Sequence, residues 1–439
     1  MARGCLLLIL DGLGDRGHPC LNGLTPLQAA STPNLDRIAA CGENGLFHPG
    51  APGQAFPSEK AHFALFGYSQ NEFPGRGLLE ALGEGLQPGT RDVSLLARLG
   101  SVSERQGCLF LERERPSDVS EQDTEDLLAA LPHPESGSLR MDYHPLESTL
   151  GILLLSGWAS AGITDTNPML DGTYLPELNP REGLSEEEFT KAENTARELK
   201  SYLLQVYRAW NQHPVNINRK NQGLLPVNAM LTQRPGKYTQ APPLLERYGL
   251  QAASVASGRV YKGLADFLGF NSCPQEDSEY PDSDLAQRIE TAVSLLEEHD
   301  LVHVHTKAPD SAAHRKDPQH KKEIIQALDK GLNNLAPERI EREDLLLAVT
   351  SDHSTPSSGS LIHSGEPVPL ALLSAHTRRD EVASFQEVAC AKGSLGLLQG
   401  RELIYTILNW LDRAKLAGIM DTPRDQPFWP GKREPFRTI

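Results

Sequence analysis

Four short, mostly apolar runs punctuate the chain: Leu6–Leu10, Leu301–Val304, Leu345–Val349 and Val368–Leu373. A run without polar alternation predicts a strand covered on both faces, as in a parallel sheet with helices on either side. Helical patterning covers Asp284–Glu298 and Lys321–Leu335. Another helix is expected from Thr32-Pro33 through Leu35 and Ile38, with Thr32 as its N-cap and Pro33 in its first position. Buried strands separated by helices imply an α/β fold with a mostly parallel sheet flanked by helices.

The middle of the chain follows a different pattern. Strand patterns occur at Cys108–Leu111, Leu150–Leu155 and Val227–Leu231. A polar helix, expected to present a solvated face, begins at Ser185 with three glutamates in its first turn and runs to about Trp210. GRGLLEALGEGL leads in, and the Pro/Gly-rich stretch QRPGKYTQAPP reads as a linker on the way out. The expected organisation is a core over 1–78 and 240–439 that carries a smaller inserted α+β domain over 79–239.

Forty-two Lys and Arg against 58 Asp and Glu give a net charge of −16, which makes nucleic acid and anionic membranes poor partners. A small anion remains compatible, since buried cations reverse a local field. The six cysteines form no CxxC pair and read as reduced thiols. The apolar stretch beginning at Cys5 is too short for a signal peptide and ends at Asp11. These features point to a soluble, cytoplasmic protein.

Three of the strand runs end in, or follow, clusters of Asp and His, and open α/β sheets bind ligands at the carboxyl ends of their strands. The potential metal ligands there are Asp11, Asp310, His314, Asp352, His353 and His363. Three carboxylates with three imidazoles form an oxygen/nitrogen set suited to Mn²⁺ or Zn²⁺ rather than Ca²⁺. Asp310 and His314 are four apart and share a helical face. Asp352 and His353 are adjacent and are expected to point apart, bridging two ions. Two such ions about 3.5–4 Å apart would clamp a phosphoryl group. Ser58, at the expected start of a helix in FPSEKAHF, is the candidate nucleophile. Singly, each element has an ordinary explanation: Ser58 as a helix cap, His303 and His305 of VHVHT as strand residues.

Taken together, LILDGLGDR, TPNLDRIA, FPSEKAHFALFGY, RVYKGLADFLG, KAPDSAAH, TSDHSTP and HSGEPVPL resemble the archaeal-type branch of cofactor-independent phosphoglycerate mutases, in the alkaline phosphatase superfamily. The resemblance implies a two-metal phosphotransferase core with an inserted substrate domain, and no need for 2,3-bisphosphoglycerate. It implies one metal site at Asp11, Ser58, Asp352 and His353, and a second at Asp310, His314 and His363. Ser58 would accept the phosphoryl group from a small phosphorylated substrate and return it to the other hydroxyl, with water excluded meanwhile. Asp165 in GITDTNP matches the aspartate that handles the substrate hydroxyl proton. Lys262, Arg98 and Arg234 match substrate-binding positions. Two departures stand out: Pro57-Ser58-Glu59 replaces the usual Gly-Ser-Asp, and Ser156 stands where the family has an arginine. The second keeps open a related phosphotransferase or phosphohydrolase acting on another small phosphate ester, alongside a binding protein without activity.

Overall fold

The computed structural model describes residues 2–116, 118–133 and 137–438. The chain divides into two compact units, residues 1–73 with 240–439 and residues 74–239. A boundary at 78/79 would cut the helix Arg76–Gly83, which belongs wholly to the second unit.

An eight-stranded sheet organises the first unit. Its spatial order is Asn271–Ser272, Ala252–Val255, Leu301–Thr306, Gly4–Leu10, Leu345–Thr350, Val368–Leu373, Glu43–His48 and Gly396–Gln399. Gly4–Leu10 runs parallel to both neighbours, pairing Ile9 with His305 on one side and Thr350 on the other. Val368–Leu373 runs antiparallel to both of its own neighbours. The apolar runs are strands because helices cover both faces: every residue of Gly4–Leu10, Leu301–Thr306 and Leu345–Thr350 is buried. The flanking helices Pro281–Leu295 and Pro318–Gly331 add Ile289, Ile325 and Leu328 to the same core.

The helix Pro33–Cys41 begins as expected, but the Thr32 side chain does not cap it. Asp329, from the Pro318–Gly331 helix, takes that role. Its carboxylate accepts the N–H groups of Asn34 and Leu35 at 3.2 and 2.9 Å. A carboxylate there satisfies orphan donors and suits the helix dipole.

Antiparallel strands make up the sheet of the second unit, centred on the long strand Val93–Arg105, which pairs with Leu150–Gly157, Cys108–Arg113 and Ala229–Gly236. The helix Glu186–Asn211 is capped by Ser185, whose hydroxyl accepts the Glu188 N–H. It is not merely a solvated face. Ala192, Ala196, Leu199, Tyr202, Val206 and Trp210 recur at helical spacing and are buried against the sheet. Trp210 is fully buried, and its indole N–H donates to Leu127 O at 2.8 Å. The linker reading also needs correction, since Gln233 to Gly236 complete a strand rather than leave the sheet. Among the described residues no helix is long and apolar enough to cross a membrane, and all six cysteines are free thiols.

Candidate metal centre and active site

Three neighbouring parallel strands deliver the acidic and imidazole residues to one edge of the sheet. Asp11 follows Leu10 and donates its N–H to Thr306 O at 3.1 Å. Asp310 and His314 lie on the short helix Ala308–His314 that follows Thr306, and Asp352 and His353 follow Thr350. Gly12 lets these turns meet. It adopts φ +64°, and a Cβ there would lie 2.6 Å from Thr355 Oγ1 and 2.8 Å from Asp310 Cβ. Only glycine fits a position that is both left-handed and this tightly enclosed.

His353 is the hub. Its Nε2 lies 2.9 Å from Ser58 Oγ, 3.2 Å from Asp352 Oδ2 and 3.5 Å from Asp11 Oδ1. Asp352 and His353 therefore converge instead of pointing apart: both follow the end of the strand, where side chains no longer alternate. Around Asp310, His314 Nε2 lies 3.3 Å from Oδ2 and His363 Nε2 lies 3.5 Å from Oδ1. Asp11, Asp352 and His353 form one tight ligand group, and Asp310, His353 and His363 form another. His314 stands beside the second group, its ring 5.6 Å from that of His363.

The donor set fits divalent cations because the protein occupies the far atom of each ligand. Asp11 Oδ2 accepts the Tyr261 hydroxyl at 2.7 Å and His305 Nε2–H at 3.0 Å. Asp352 Oδ1 accepts the N–H groups of Gly12 and His353 at 3.1 and 3.0 Å. Asp310 Oδ1 accepts the Thr355 hydroxyl at 2.8 Å. Among the described residues that leaves Asp11 Oδ1 and Asp352 Oδ2 buried and without a hydrogen-bond partner, while Asp310 Oδ2 faces the Lys307 ammonium at 3.1 Å and His314 Nε2 at 3.3 Å. His363 Nδ1 donates to Phe56 O at 2.7 Å, which turns its Nε2 towards Asp310. The same logic gives His353 its Nδ1–H, directed at Thr355 Oγ1 at 3.2 Å, and makes its unprotonated Nε2 the acceptor 2.9 Å from Ser58 Oγ. His353 Nε2 facing the unpartnered oxygens of Asp352 and Asp11 at 3.2 and 3.5 Å sets lone pairs against lone pairs, which repel unless a cation lies between them. Tetrahedral ligands about 2.0–2.1 Å from a metal are themselves about 3.3 Å apart, which is the spacing found.

The electrostatics agree. Burial pushes the Asp310 carboxyl up, but His314, His363 and Lys307 outweigh it and hold the group well below the usual carboxylate range. Asp11 is likewise held low, with Lys307 and His305 overcoming burial. Burial lowers the pKa of His353 and favours the neutral ligand form. Lys307 sets its ammonium 3.1 Å from Asp310 and 3.6 Å from Asp11. Three carboxylates against one ammonium make the cluster attractive to cations, and, against the effect of burial, Asp352 and Asp310 correspondingly raise the pKa values of His62 and His363.

Residues 3–409 match the Metalloenzyme superfamily. The chain is 39% identical over 426 residues to the 2,3-bisphosphoglycerate-independent phosphoglycerate mutase 2 of Methanocaldococcus jannaschii, covering 95% of this chain and 96% of that protein. It is 34% identical over 423 residues to the Methanopyrus kandleri protein of the same activity name, covering 95% and 99%. The solved cofactor-independent phosphoglycerate mutase of Thermoplasma acidophilum superposes with a TM-score of 0.65 at 28% identity, covering 94% of this chain and all of that one. The chain belongs to the 2,3-bisphosphoglycerate-independent phosphoglycerate mutase family.

Against that family membership, the other expected residues divide by unit. In the first, Lys262 stands one residue after Tyr261 on the helix Arg259–Leu268, but its ammonium pairs with Asp266 at 3.3 Å rather than joining the cluster. In the second, Asp165 Oδ1 accepts the Arg234 N–H at 2.7 Å. Burial raises the Asp165 pKa against the pull of Arg234 and Arg181. Arg98 is largely buried on the central strand, its Nε without an acceptor and Glu114 3.9 Å away. Ser156 lies directly across from Arg140 in an antiparallel pair, so the two side chains share a face of the sheet.

Sequence reasoning missed Lys307, Tyr261, His62 and Thr355. His62 is four residues past Ser58, a spacing that could have flagged it; its Nδ1 lies 2.9 Å from Ser58 O and 3.4 Å from Asp352 Oδ2. His305 is a strand residue as expected, yet it also fixes Asp11. Tyr261 carried no signal of its own, because a buried tyrosine becomes informative only when its acceptor is known.

Proposed function

We propose that this protein is a metal-dependent phosphoglycerate mutase that interconverts 2-phosphoglycerate and 3-phosphoglycerate through phospho-Ser58. The observation that carries the reading is the Ser58 hydroxyl at the hub of a ligand set whose free lone pairs converge. Two divalent ions, Mn²⁺ or Zn²⁺, would be held by Asp11, Ser58, Asp352 and His353 and by Asp310, His314 and His363. They would neutralise the carboxylates and lower the pKa of the Ser58 hydroxyl.

Ser58 is the first residue of the helix Ser58–Leu65, and its Oγ attacks phosphorus as the bond to the glycerate oxygen breaks. Asp165 supplies the proton to the departing oxygen and removes one from the other hydroxyl when the glycerate has turned. That hydroxyl then recovers the phosphoryl group and frees Ser58. Arg98, Arg234 and Lys262 hold the carboxylate and phosphate, for which the guanidinium fork is suited. Residues 74–239 serve as the substrate-binding domain, and the protein works in the cytoplasm.

Ser156 supports a second reading, phosphotransfer or hydrolysis on another small phosphate ester, because a guanidinium is missing at that position. Its cross-strand neighbour Arg140 does not replace it as it stands, since the Arg140 guanidinium pairs with Asp142 at 2.7 Å. The deciding experiment is an assay of the metal-loaded protein for 2-phosphoglycerate to 3-phosphoglycerate conversion without 2,3-bisphosphoglycerate, with phospho-Ser58 identified by peptide mass spectrometry. Phospho-Ser58 formed from other esters, with no mutase turnover, would overturn the first reading for the second.

A further inference from the structure

A cavity of about 260 Å³ in the first unit is lined by none of the residues of the metal cluster. Its walls are Gly67, just past the Ser58–Leu65 helix, the helix Leu244–Tyr248, the start of the helix Glu402–Trp410, and residues 424–427. The match to the superfamily ends at residue 409, so the last of these walls lies outside it.

Three guanidiniums line the space: Arg247, Arg401 and Arg424. Arg247 is committed to Glu72, which it grips through both terminal nitrogens, one at 3.1 Å. Arg401 packs 5.9 Å from the centre of the Tyr405 ring, and among the described residues neither it nor Arg424 has a carboxylate partner. Two acids also line the cavity. Asp425 is taken by Lys415 at 2.9 Å, leaving Glu246 as the one unpaired carboxylate. The balance is therefore positive, in a chain whose net charge is −16. One wall is aromatic, with Tyr248 and Tyr405 packed edge to face at 6.1 Å.

We propose that this cavity is a binding site for a small phosphate-bearing anion, gripped by Arg401 and Arg424. Planar guanidiniums bind phosphate oxygens in pairs, and the two here come from separate stretches of chain that line one cavity. The volume lies below that of typical drug-sized sites, which limits the ligand to phosphate or a monoester of a few carbons. Tyr248 also donates its hydroxyl to Gly67 O at 2.6 Å, so the cavity adjoins the far end of the helix that begins at Ser58.

Hydrogen–deuterium exchange on the full-length, metal-loaded protein tests this. Inorganic phosphate is titrated against chloride at matched ionic strength, with glycerol 3-phosphate as a second arm. Peptides covering residues 420–430 are expected to slow saturably with phosphate and not with chloride. Tighter half-saturation by glycerol 3-phosphate would assign an organic ester, and equal half-saturation free phosphate. In Arg401→Gln/Arg424→Gln the half-saturation should rise at least tenfold, while any response near Asp352 persists. Both arginines are exposed, so melting should be unchanged; Arg424→Gln alone is the check if it is not. No slowing at 420–430, equal slowing by chloride, or an undiminished response in the variants would overturn the proposal. The readout is binding, so a failed mutase assay does not decide it.

Discussion

At the scale of single residues, the site separates chemistry from support. The Ser58 side chain is bonded to His353 at 2.9 Å, and removing one such hydrogen bond costs about 0.5–1.5 kcal/mol of stability. Ser58→Ala should therefore abolish phosphotransfer with a melting temperature close to that of the parent, while Asp11, Asp352 and His353 still bind metal at saturating concentration, as read by calorimetry and elemental analysis. Asp352→Asn should act differently. It replaces the bare Oδ2 of a buried carboxylate, so metal occupancy should fall at least tenfold at limiting metal, with turnover restored in part by excess metal.

A third residue-level expectation concerns pH. Burial alone would raise the Glu72 carboxyl, but Arg247 and the N–H and hydroxyl of Ser69 outweigh it, moving the pKa from an ordinary 4.5 down to about 2. A folded-state pKa below the unfolded value means that the stabilisation is complete above about 4.5 and disappears as pH falls from there towards 2. Screening of this partly exposed pair limits the effect to about 1 kcal/mol. Thermal melts from pH 6 to pH 3 should show a shallower acid loss in Glu72→Gln.

At the scale of elements, the ligand-bearing turns are fastened together by a buried lysine. Lys321, on the Pro318–Gly331 helix, donates to Gly14 O at 2.9 Å, Thr355 O at 2.8 Å and Asp15 Oδ2 at 3.2 Å. Gly14 follows Asp11 in one turn and Thr355 follows His353 in the other, so one ammonium ties both. Lys321→Met would leave Asp15 buried without its cation, a change that costs about 3–5 kcal/mol. Denaturant midpoints should fall accordingly, and metal affinity should fall with them, because the two turns lose their common donor. Unchanged metal affinity in a destabilised variant would confine Lys321 to a purely structural role.

The elements themselves were readable to different depths. Unbroken apolar runs marked Leu6–Leu10 and Leu345–Val349 because burial on both faces leaves no polar alternation. The observed strands extend one or two residues further at their ends, where backbone pairing continues past the apolar stretch. The helix from Ser185 carried its cap in its sequence, whereas its buried stripe was hidden among glutamates and lysines. Asp329 capping a helix nearly 300 positions earlier could not be read at all, since nothing local links Asp329 to Leu35.

At the scale of the molecule, residues 74–239 leave and re-enter next to each other, with Lys237 N–H donating to Pro74 O at 2.7 Å. The unit also has its own buried cluster around Val93, Leu153, Leu199 and Trp210. A fragment spanning 74–239 should therefore fold cooperatively on its own, as monitored by circular dichroism in denaturant. Joining residue 73 to residue 240 should leave a protein that binds divalent metal but lacks mutase turnover. A fragment without a cooperative transition would contradict this independence.

Asp11, Asp310, Asp352, His353 and His363 were recognisable in the sequence because acids and imidazoles stood beside strand runs, and a parallel sheet collects such positions at one edge. Residue types and strand order thus determined which groups could meet. Tertiary structure alone decided how they meet. It placed Tyr261, Thr355 and Phe56 so that each fixed one atom of Asp11, Asp310 and His363, and it turned Asp352 and His353 towards the same point. Hydrogen-bond direction depends on distances of a few tenths of an ångström between residues far apart in the chain, and no local pattern of residues encodes those distances.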